Sequence, residues 1–289
     1  DKKDISLCFY SKDKPIKKEI KEEKNKYIQV SNGLLTFRAS HNFNGVAYFL
    51  SYKDQKNIFK TFWPESPPFL WDNRFFGGIA PHITQYNSWD FQDYLDLKFE
   101  LLPDVRKGRL EGVGMKSEIL TYSPYLKGLQ VTNFYLTLPD SPFLLVQQQI
   151  YNHSGVSRYF NPVINISLEP SGTTGDKYYI DNGETYLTFR TQDFESEAWK
   201  RKKRETRWVA YKNRDAPYYL GVVINSRRFG YYVEPYIPNL TLSNIIAQSP
   251  IAKIKPKGKL TFETMIVFTD ELEKIKPFTN SNIRELMED

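Results

Sequence analysis

The sequence is poor in the residues that cross-link a chain or bind metals. It has one cysteine, Cys8, among 289 residues, so no disulfide can form within the chain. Its three histidines are His41, His82 and His153, and no His-Glu-x-x-His or Cys-x-x-Cys pattern accompanies them. Those patterns place zinc ligands at workable spacing, so their absence leaves a zinc site with little support. We therefore expect no metal centre and no cofactor.

Several function classes lack their sequence signals. No run of about eighteen apolar residues is present, which argues against a membrane-spanning helix. Neither a GxxxxGK[ST] loop nor a GxGxxG after a strand occurs, and there is no G-x-S-x-G nucleophile elbow. No apolar stretch of the secretory type follows Asp1, which slightly favours the cytoplasm and leaves the compartment open. Oligomeric state stays open as well.

The charge balance is mild, with 40 basic and 34 acidic residues and a net charge of +6. Such a balance favours solubility and weak attraction to anions, and it does not determine the fold. The densest basic run is 199–207, which leaves a nucleic-acid-binding protein as one alternative. This run is local and does not extend over a face, so nucleic acid is the less favoured partner.

Aromatic residues are abundant, at 16% of the chain with 20 Tyr and 20 Phe, and they favour strands. Apolar runs are separated by short turns and not by helical stretches. Asn32-Gly33 is a strong hairpin signal, and Pro139-Asp140-Ser141-Pro142 is a second turn. The segment 251–268 has a Pro-Lys-Gly turn and predicts a closing hairpin. Together these patterns predict an antiparallel all-β sandwich or barrel.

The domain boundaries follow from composition. Residues 1–26 are a charged N-terminal arm, interpreted as a solvated edge or a mobile segment. Residues 27–270 show no composition break and predict one β domain. Residues 271–289 predict a short amphipathic helix whose apolar positions are Ile275, Phe278, Ile283, Leu286 and Met287.

The stretch 71–83 concentrates features of a binding site. Adjacent glycines at 77 and 78 permit a sharp bend, Pro81 fixes the backbone after it, and His82 supplies a titratable imidazole. A second aromatic and acidic cluster follows at 86–94. The alternative is a tight turn whose aromatic side chains belong to the core. The candidate binding residues are Trp71, Asp72, Arg74, Trp89, Asp90 and Tyr94.

General acid–base chemistry needs two titratable groups on opposite sides of a substrate. His82 is the best acid candidate. Glu234 is the best base candidate, because three tyrosines and a proline surround it in sequence and partial desolvation would raise its pKa. The alternatives are a structural imidazole that bonds a loop carbonyl, and an edge-strand carboxylate paired with a lysine or arginine.

The order of these features resembles the galactose mutarotase-like (aldose 1-epimerase-like) β-supersandwich superfamily. Residues 28–37 and Gly45 resemble its first hairpin, and Gly77–Pro81 resembles the GGI-P segment of its hexose-phosphate epimerase branch. The segments 144–155 and 254–264 resemble its central strand with an Asn-led turn and its late turn with the final strand. The resemblance covers residues 27–268 and implies an all-β antiparallel supersandwich with a short C-terminal helix.

The same resemblance implies a carbohydrate ligand and a histidine acid with a glutamate base that open a sugar ring at its anomeric carbon. Glu234 matches the family's late Glu-Pro segment. The strand 160–168 carries no histidine where the family usually has one. Many members are sugar-binding or accessory domains, and some are lyases. We therefore expect a carbohydrate-binding protein that is an epimerase if it is catalytic. The alternatives are a non-catalytic accessory module and a polysaccharide lyase-like protein.

For a sugar ligand, Trp71, Trp89 and Tyr94 would supply rings that stack on apolar sugar faces. Asp72, Arg74, Asp90 and Glu234 would supply the few placed polar groups that orient a ligand in a pocket.

Overall fold

The computed structural model describes residues 15–66, 76–84, 97–119, 125–170, 176–181, 186–190, 207–224, 230–237 and 242–280. Eighteen strands and one short helix lie in these ranges. The strands are β1 (Lys17–Glu22), β2 (Lys26–Ser31), β3 (Leu35–Ser40), β4 (Val46–Tyr52), β5 (Ile79–Thr84), β6 (Glu100–Lys107), β7 (Leu110–Glu118), β8 (Leu129–Thr137), β9 (Phe143–Asn152), β10 (Arg158–Leu168), β11 (Lys177–Asp181), β12 (Tyr186–Arg190), β13 (Trp208–Lys212), β14 (Tyr219–Val223), β15 (Gly230–Ile237), β16 (Leu242–Gln248), β17 (Ala252–Ile254) and β18 (Lys259–Thr269).

These strands form two nine-stranded sheets. The first sheet has the order β1-β2-β3-β4-β5-β10-β16-β15, with β17 paired to one end of β10. The second sheet has the order β12-β11-β13-β14-β18-β9-β8-β7-β6. The pairs in both sheets are antiparallel. The prediction of an all-β antiparallel sandwich is confirmed.

The main core lies between the two sheets. Alternate residues of each strand point to opposite faces, so one face of every central strand carries the apolar set. In the first sheet Ile79 and Ile83 of β5 and Phe160, Ile164 and Ile166 of β10 are buried in this core. The opposite side of the first sheet is called the outer face below.

The predicted Asn32-Gly33 turn joins β2 to β3 and also binds the turn between β8 and β9. The Asp140 amide donates to the Asn32 carbonyl at 2.6 Å. Gly33 has φ 101°, and a Cβ there would lie 2.1 Å from Asp140 Oδ1. This position requires glycine because of both its backbone conformation and the second turn.

Part of the charged N-terminal segment forms the edge of the first sheet. Lys17–Glu22 pairs with β2 as β1, and its side chains are largely exposed. Lysine and glutamate side chains on an edge strand oppose pairing with a second chain. Lys18 of β1 contacts Asp104 of β6, which links the edges of the two sheets.

The predicted closing hairpin at 251–268 is wrong. β17 pairs with β10 in the first sheet, whereas β18 pairs with β9 and β14 in the second. The turn at Lys255–Gly258 therefore carries the chain from one sheet to the other. A turn signal identifies a reversal of the chain, but the partner of each strand depends on contacts distant in sequence.

The predicted C-terminal helix is confirmed as a 3-10 helix at Leu272–Asn280. Ile275 and Phe278 are buried against Trp208, Val223 and Met265, on the side of the second sheet that faces away from the core. Residues 281–289, and with them Ile283, Leu286 and Met287, lie outside the described ranges.

Candidate functional site

The outer face of the first sheet carries a group of polar side chains, most of them buried. Because the core residues of β10 are the even-numbered ones, Asn161, Asn165 and Ser167 lie on the outer face. The cross-strand register places Ala80 of β5 opposite Asn165. It places Asn244 of β16 opposite Ser167. Polar side chains on a face away from the core, at the centre of a sheet, indicate a site and not only a packing surface.

The Gly77-Gly78 bend sets the start of β5 against β10. Both glycines are left-handed, with φ 71° and 67°, and a Cβ on Gly78 would lie 2.4 Å from the Ala47 carbonyl oxygen. The Ser167 amide donates to the Gly78 carbonyl at 2.8 Å. The predicted bend therefore fixes the register of the strand that carries His82. Pro81 is accommodated within β5 because β4 pairs with β5 only through Ala47 and Ile79.

One acceptor of the polar group has no donor. Ser167 Oγ donates to Asn244 Oδ1 at 2.8 Å, so these two side chains satisfy each other in part. Asn165 Oδ1 is buried and accepts no hydrogen bond from any of the described residues. A buried acceptor without a donor costs about 1–3 kcal/mol unless a ligand or water supplies one.

His82 is held as a neutral imidazole. Its side chain is 8% exposed, and its Nδ1 lies 3.0 Å from the Ala80 carbonyl oxygen. Burial lowers the pKa of His82 to about 4, against the smaller opposing effect of the bond to Ala80. The geometry matches a structural imidazole on a backbone carbonyl. At neutral pH the ring therefore does not carry the second proton of an imidazolium, which is the proton that a histidine acid gives up.

Glu234 is on β15 at the same level as this polar group. The register pairs Glu234 with Asn244, which in turn pairs with Ser167. A register shift between Glu234 and Ile237 inserts an extra residue into β15 just after Glu234. Such bulges re-aim neighbouring residues and are common next to functional sites.

His82 and Glu234 are far apart in the first sheet. His82 pairs with Val163, Val163 with Gln248, and Gln248 with Gly230 of β15. Glu234 is four residues further along β15 and three strands across. At about 3.3 Å per residue and 4.8 Å per strand, this is roughly 13 Å along the strands and 14 Å across them.

An aromatic cluster adjoins the polar group on the same face. Tyr27, Phe43, Tyr48 and Phe76 are buried there, and Ala80 packs against them. The Trp63 ring stacks on Tyr48 with centroids 4.0 Å apart and an interplanar angle of 4°. Trp63 is partly exposed, so a ligand on this face could reach its ring.

The predicted binding residues Trp71, Asp72 and Arg74 lie outside the described ranges, as do Trp89, Asp90 and Tyr94. The basic run is also outside them up to residue 206. Sequence reasoning missed Asn165, Ser167, Asn244 and Trp63. The alternation of polar and apolar residues in 161–168 was a signal that could have found the first two.

Some site types are absent from the part of the chain that the structure describes. Within it no three His, Cys, Asp or Glu residues are grouped so as to hold a metal ion. No helix there has the length and apolar character that a membrane crossing requires.

Comparison by sequence finds no matching family model and no matching curated protein. Comparison by structure finds many matches. A candidate aldose 1-epimerase from Klebsiella pneumoniae aligns at a TM-score of 0.62 and 9% identity, covering 95% of this chain and 88% of that one. A galactose mutarotase-like protein from Clostridium acetobutylicum aligns at 0.59 and 11% identity, covering 90% and 100%.

A larger protein also shares the architecture. The TPR-domain containing protein from Parabacteroides distasonis aligns at a TM-score of 0.55 and 15% identity, over 85% of this chain. This chain spans 47% of that protein's length. At these identities the alignments establish architecture and not activity. The two-sheet topology and these alignments together show that the chain has the galactose mutarotase-like fold.

Proposed function

We propose that the protein binds a carbohydrate on the outer face of the first sheet, around Asn165. The observation that carries the proposal is the buried Asn165 Oδ1, which has no donor among the described residues. Sugar hydroxyl groups donate hydrogen bonds. A sugar that lies over β10 could therefore supply the donor that Asn165 Oδ1 lacks among the described residues. Ser167 and Asn244 lie at the next level of the sheet and would offer further polar contacts.

The surroundings of Asn165 suit a sugar. Sugar rings have apolar faces that stack on aromatic rings, and the partly exposed Trp63 belongs to the cluster that touches Ala80, the cross-strand neighbour of Asn165. Few polar groups beside an apolar wall are typical of ligand sites. The similar structures named for aldose epimerisation and galactose mutarotation support a sugar as the ligand class, by analogy of fold.

The candidate residues in the two undescribed segments remain part of the proposal. Trp71, Asp72 and Arg74 lie five to eight residues before β5 in the sequence, and Trp89, Asp90 and Tyr94 lie five to ten residues after it. β5 carries Ala80 and His82 beside Asn165. We propose that these segments supply the remaining stacking and polar contacts to the sugar.

Binding is favoured over ring opening. An epimerase needs its acid and base on the same sugar, whereas the register separates His82 from Glu234 by three strands and four residues. His82, with a pKa lowered to about 4, is neutral at pH 7 and is not in the imidazolium form that a histidine acid requires. In the proposal Glu234 serves as a polar contact at the edge of the site. His82 has a structural role, through its hydrogen bond to the Ala80 carbonyl oxygen of β5.

Replacement of Asn165 by leucine tests the proposal. Asn165→Leu is expected to lower sugar affinity by about tenfold or more, because a hydrogen bond to the ligand is lost. The same change is expected to leave the free energy of unfolding equal or to raise it by about 1 kcal/mol, because it removes a buried acceptor without a donor. Titration against a neutral and acidic oligosaccharide panel, beside urea unfolding, measures both.

Asn161→Leu is the matched control on the same strand and face. Asn161 Nδ2 donates to the Ser249 carbonyl oxygen at 3.1 Å, so its replacement should reduce stability. Unchanged sugar affinity in a folded Asn165→Leu protein would contradict the proposed site.

Anomer interconversion separates binding from catalysis. Proton NMR of freshly dissolved glucose, galactose and their 6-phosphates is expected to show the same rate with and without the protein. Acceleration that disappears in Glu234→Gln would establish an epimerase in place of a binding protein. Sugar binding without acceleration would agree with an accessory module, and the same fold occupies part of the longer TPR-domain containing protein.

A further inference from the structure

One end of the sandwich carries a cluster of positively charged side chains. Three segments, 125–130, 152–160 and 250–260, meet there and are called the basic end. The His153 amide donates to the Gly128 carbonyl oxygen at 2.8 Å. The Lys257 amide donates to the Asn152 carbonyl oxygen at 2.8 Å, and the Asn152 amide donates to that of Gly258 at 3.0 Å. These bonds hold the three segments together as one surface.

The three segments contain no Asp or Glu. They contain six cationic side chains, which equals the excess of 40 basic over 34 acidic residues in the whole chain. All except Arg158 are exposed. The six are Lys127, Arg158, Lys253, Lys255, Lys257 and Lys259. An exposed group of cations with no acidic residue in the same segments attracts a polyanion.

The arrangement of the lysines suits a polymer better than a single anion. Four of them occur at every second residue from Lys253 to Lys259, through β17 and the turn that leads to β18. Exposed cations distributed along a strand and the turn that follows it match repeated negative charges. A single phosphate would be held instead by donors that converge on one point.

The basic end continues the outer face that carries Asn165. Tyr159 is an odd-numbered residue of β10, on the same side of the strand as Asn161 and Asn165. Its ring is 50% exposed, and Lys253 Nζ lies 5.3 Å from the ring centroid. An exposed ring beside a cation suits an acidic sugar, whose apolar face stacks and whose carboxylate pairs with the ammonium. Along β10, Tyr159 is roughly 20 Å from Asn165, which is more than one sugar spans.

We propose that the basic end holds the anionic units of an acidic polysaccharide whose other units reach the outer-face site. This inference rests on the proposed sugar-binding function. Acidic polysaccharide is favoured over nucleic acid because Tyr159 and Lys253 share the face of β10 on which the sugar site lies. The ligand is therefore an oligosaccharide of several units, with carboxylates toward the Lys253 end.

The test uses oligomers of galacturonate, alginate and hyaluronan, each beside its neutral carboxyl-reduced form, and a thymidine oligonucleotide. At least one acidic oligomer is expected to bind about tenfold or more tightly than its reduced form, with affinity that falls as salt rises. The combined change Lys253→Gln, Lys255→Gln and Lys257→Gln is expected to lower that affinity about tenfold, since each exposed charge contributes modestly.

Lys17→Gln, Lys24→Gln and Lys26→Gln together form the matched control. These lysines are exposed on and beside β1, the edge strand of the first sheet, and the change in net charge is the same. The control is expected to change affinity less than about twofold. An equal loss in both triple variants would overturn the inference, because net charge alone would explain it. Equal affinity for the thymidine oligonucleotide would overturn it in favour of nucleic acid.

Failure of this inference and failure of the proposed function give different results. If neutral and acidic forms bind equally and Asn165→Leu weakens both, the charge inference fails and the sugar site stands. If the affinity for an acidic oligomer depends on the three lysines but not on Asn165, the outer-face site is wrong and only the basic end binds the oligomer. If none of the oligosaccharides binds, both are wrong.

Discussion

Asn32→Ala is expected to lower the free energy of unfolding by roughly 3–5 kcal/mol, because it leaves several buried backbone groups unpaired. Asn32 is 1% exposed. Its Nδ2 lies 2.7 Å from Thr137 Oγ1 and 2.8 and 2.9 Å from the carbonyl oxygens of Leu138 and Ser141, so its two hydrogens are shared among these three acceptors. Its Oδ1 accepts from the Leu35 amide at 2.7 Å. One side chain thus joins the β2–β3 turn of the first sheet to the β8–β9 turn of the second.

Asn25→Ala is the control for this prediction. Asn25 also lies in a turn, between β1 and β2, and accepts from the Lys26 amide at 2.9 Å, but its bonds are exposed to water. Its replacement is expected to lower the free energy of unfolding by about 1 kcal/mol or less, because water replaces the lost hydrogen-bond partner. Urea unfolding followed by tryptophan fluorescence measures both variants. If Asn32→Ala and Asn25→Ala lower the free energy of unfolding equally, the contact between the two turns does not contribute to stability.

His82 is expected to make the protein sensitive to acid. Burial lowers its pKa from 6.5 to about 4, so between these values the unfolded chain binds a proton that the native protein does not. The contribution of the neutral His82 to the free energy of unfolding is therefore fully present above about pH 6.5, and it is lost as the pH falls toward 4. The loss amounts to about 3 kcal/mol, at 1.36 kcal/mol for each pKa unit. Unfolding by urea at a series of pH values measures it.

His82→Asn isolates this contribution. The asparagine amide can donate to the Ala80 carbonyl oxygen in place of Nδ1, but it does not titrate. Between pH 7 and pH 4, the free energy of unfolding of the variant is expected to fall by about 3 kcal/mol less than that of the wild type. His153→Asn, at an exposed histidine, is expected to follow the wild type. A His82→Asn protein with the wild-type acid dependence would refute the assignment and leave carboxylates as the cause.

The bend at Gly77-Gly78 shows how far local sequence reasoning reached. Two adjacent glycines before Pro81 predict a sharp bend, and both glycines are in the left-handed conformation. What the pattern could not provide was the neighbour that makes glycine necessary, the Ala47 carbonyl of β4. Likewise, a bond from His82 to a backbone carbonyl was one of two interpretations of that residue. Its burial in the folded sheet favours this structural interpretation over the acid.

Local sequence reasoning did not reach the polar group of Asn165, Ser167 and Asn244. The alternation along 161–168 puts three polar residues on one face of a strand, but it does not say whether that face meets the core, the solvent or a ligand. β10 lies between β5 and β16, about 80 residues away in the chain on each side. The site is assembled by those pairings. No local pattern records which distant strands will meet.

The sequence by itself determined the strand class, the positions of turns such as Asn32-Gly33 and the C-terminal helix, because these depend on neighbouring residues and on alternation. The tertiary structure alone decided that β17 and β18 belong to different sheets, that Asn32 joins the two sheets, and that the Oδ1 atom of Asn165 is buried with no donor among the described residues. Those features depend on contacts between residues far apart in the chain, which form only when the two sheets pack together.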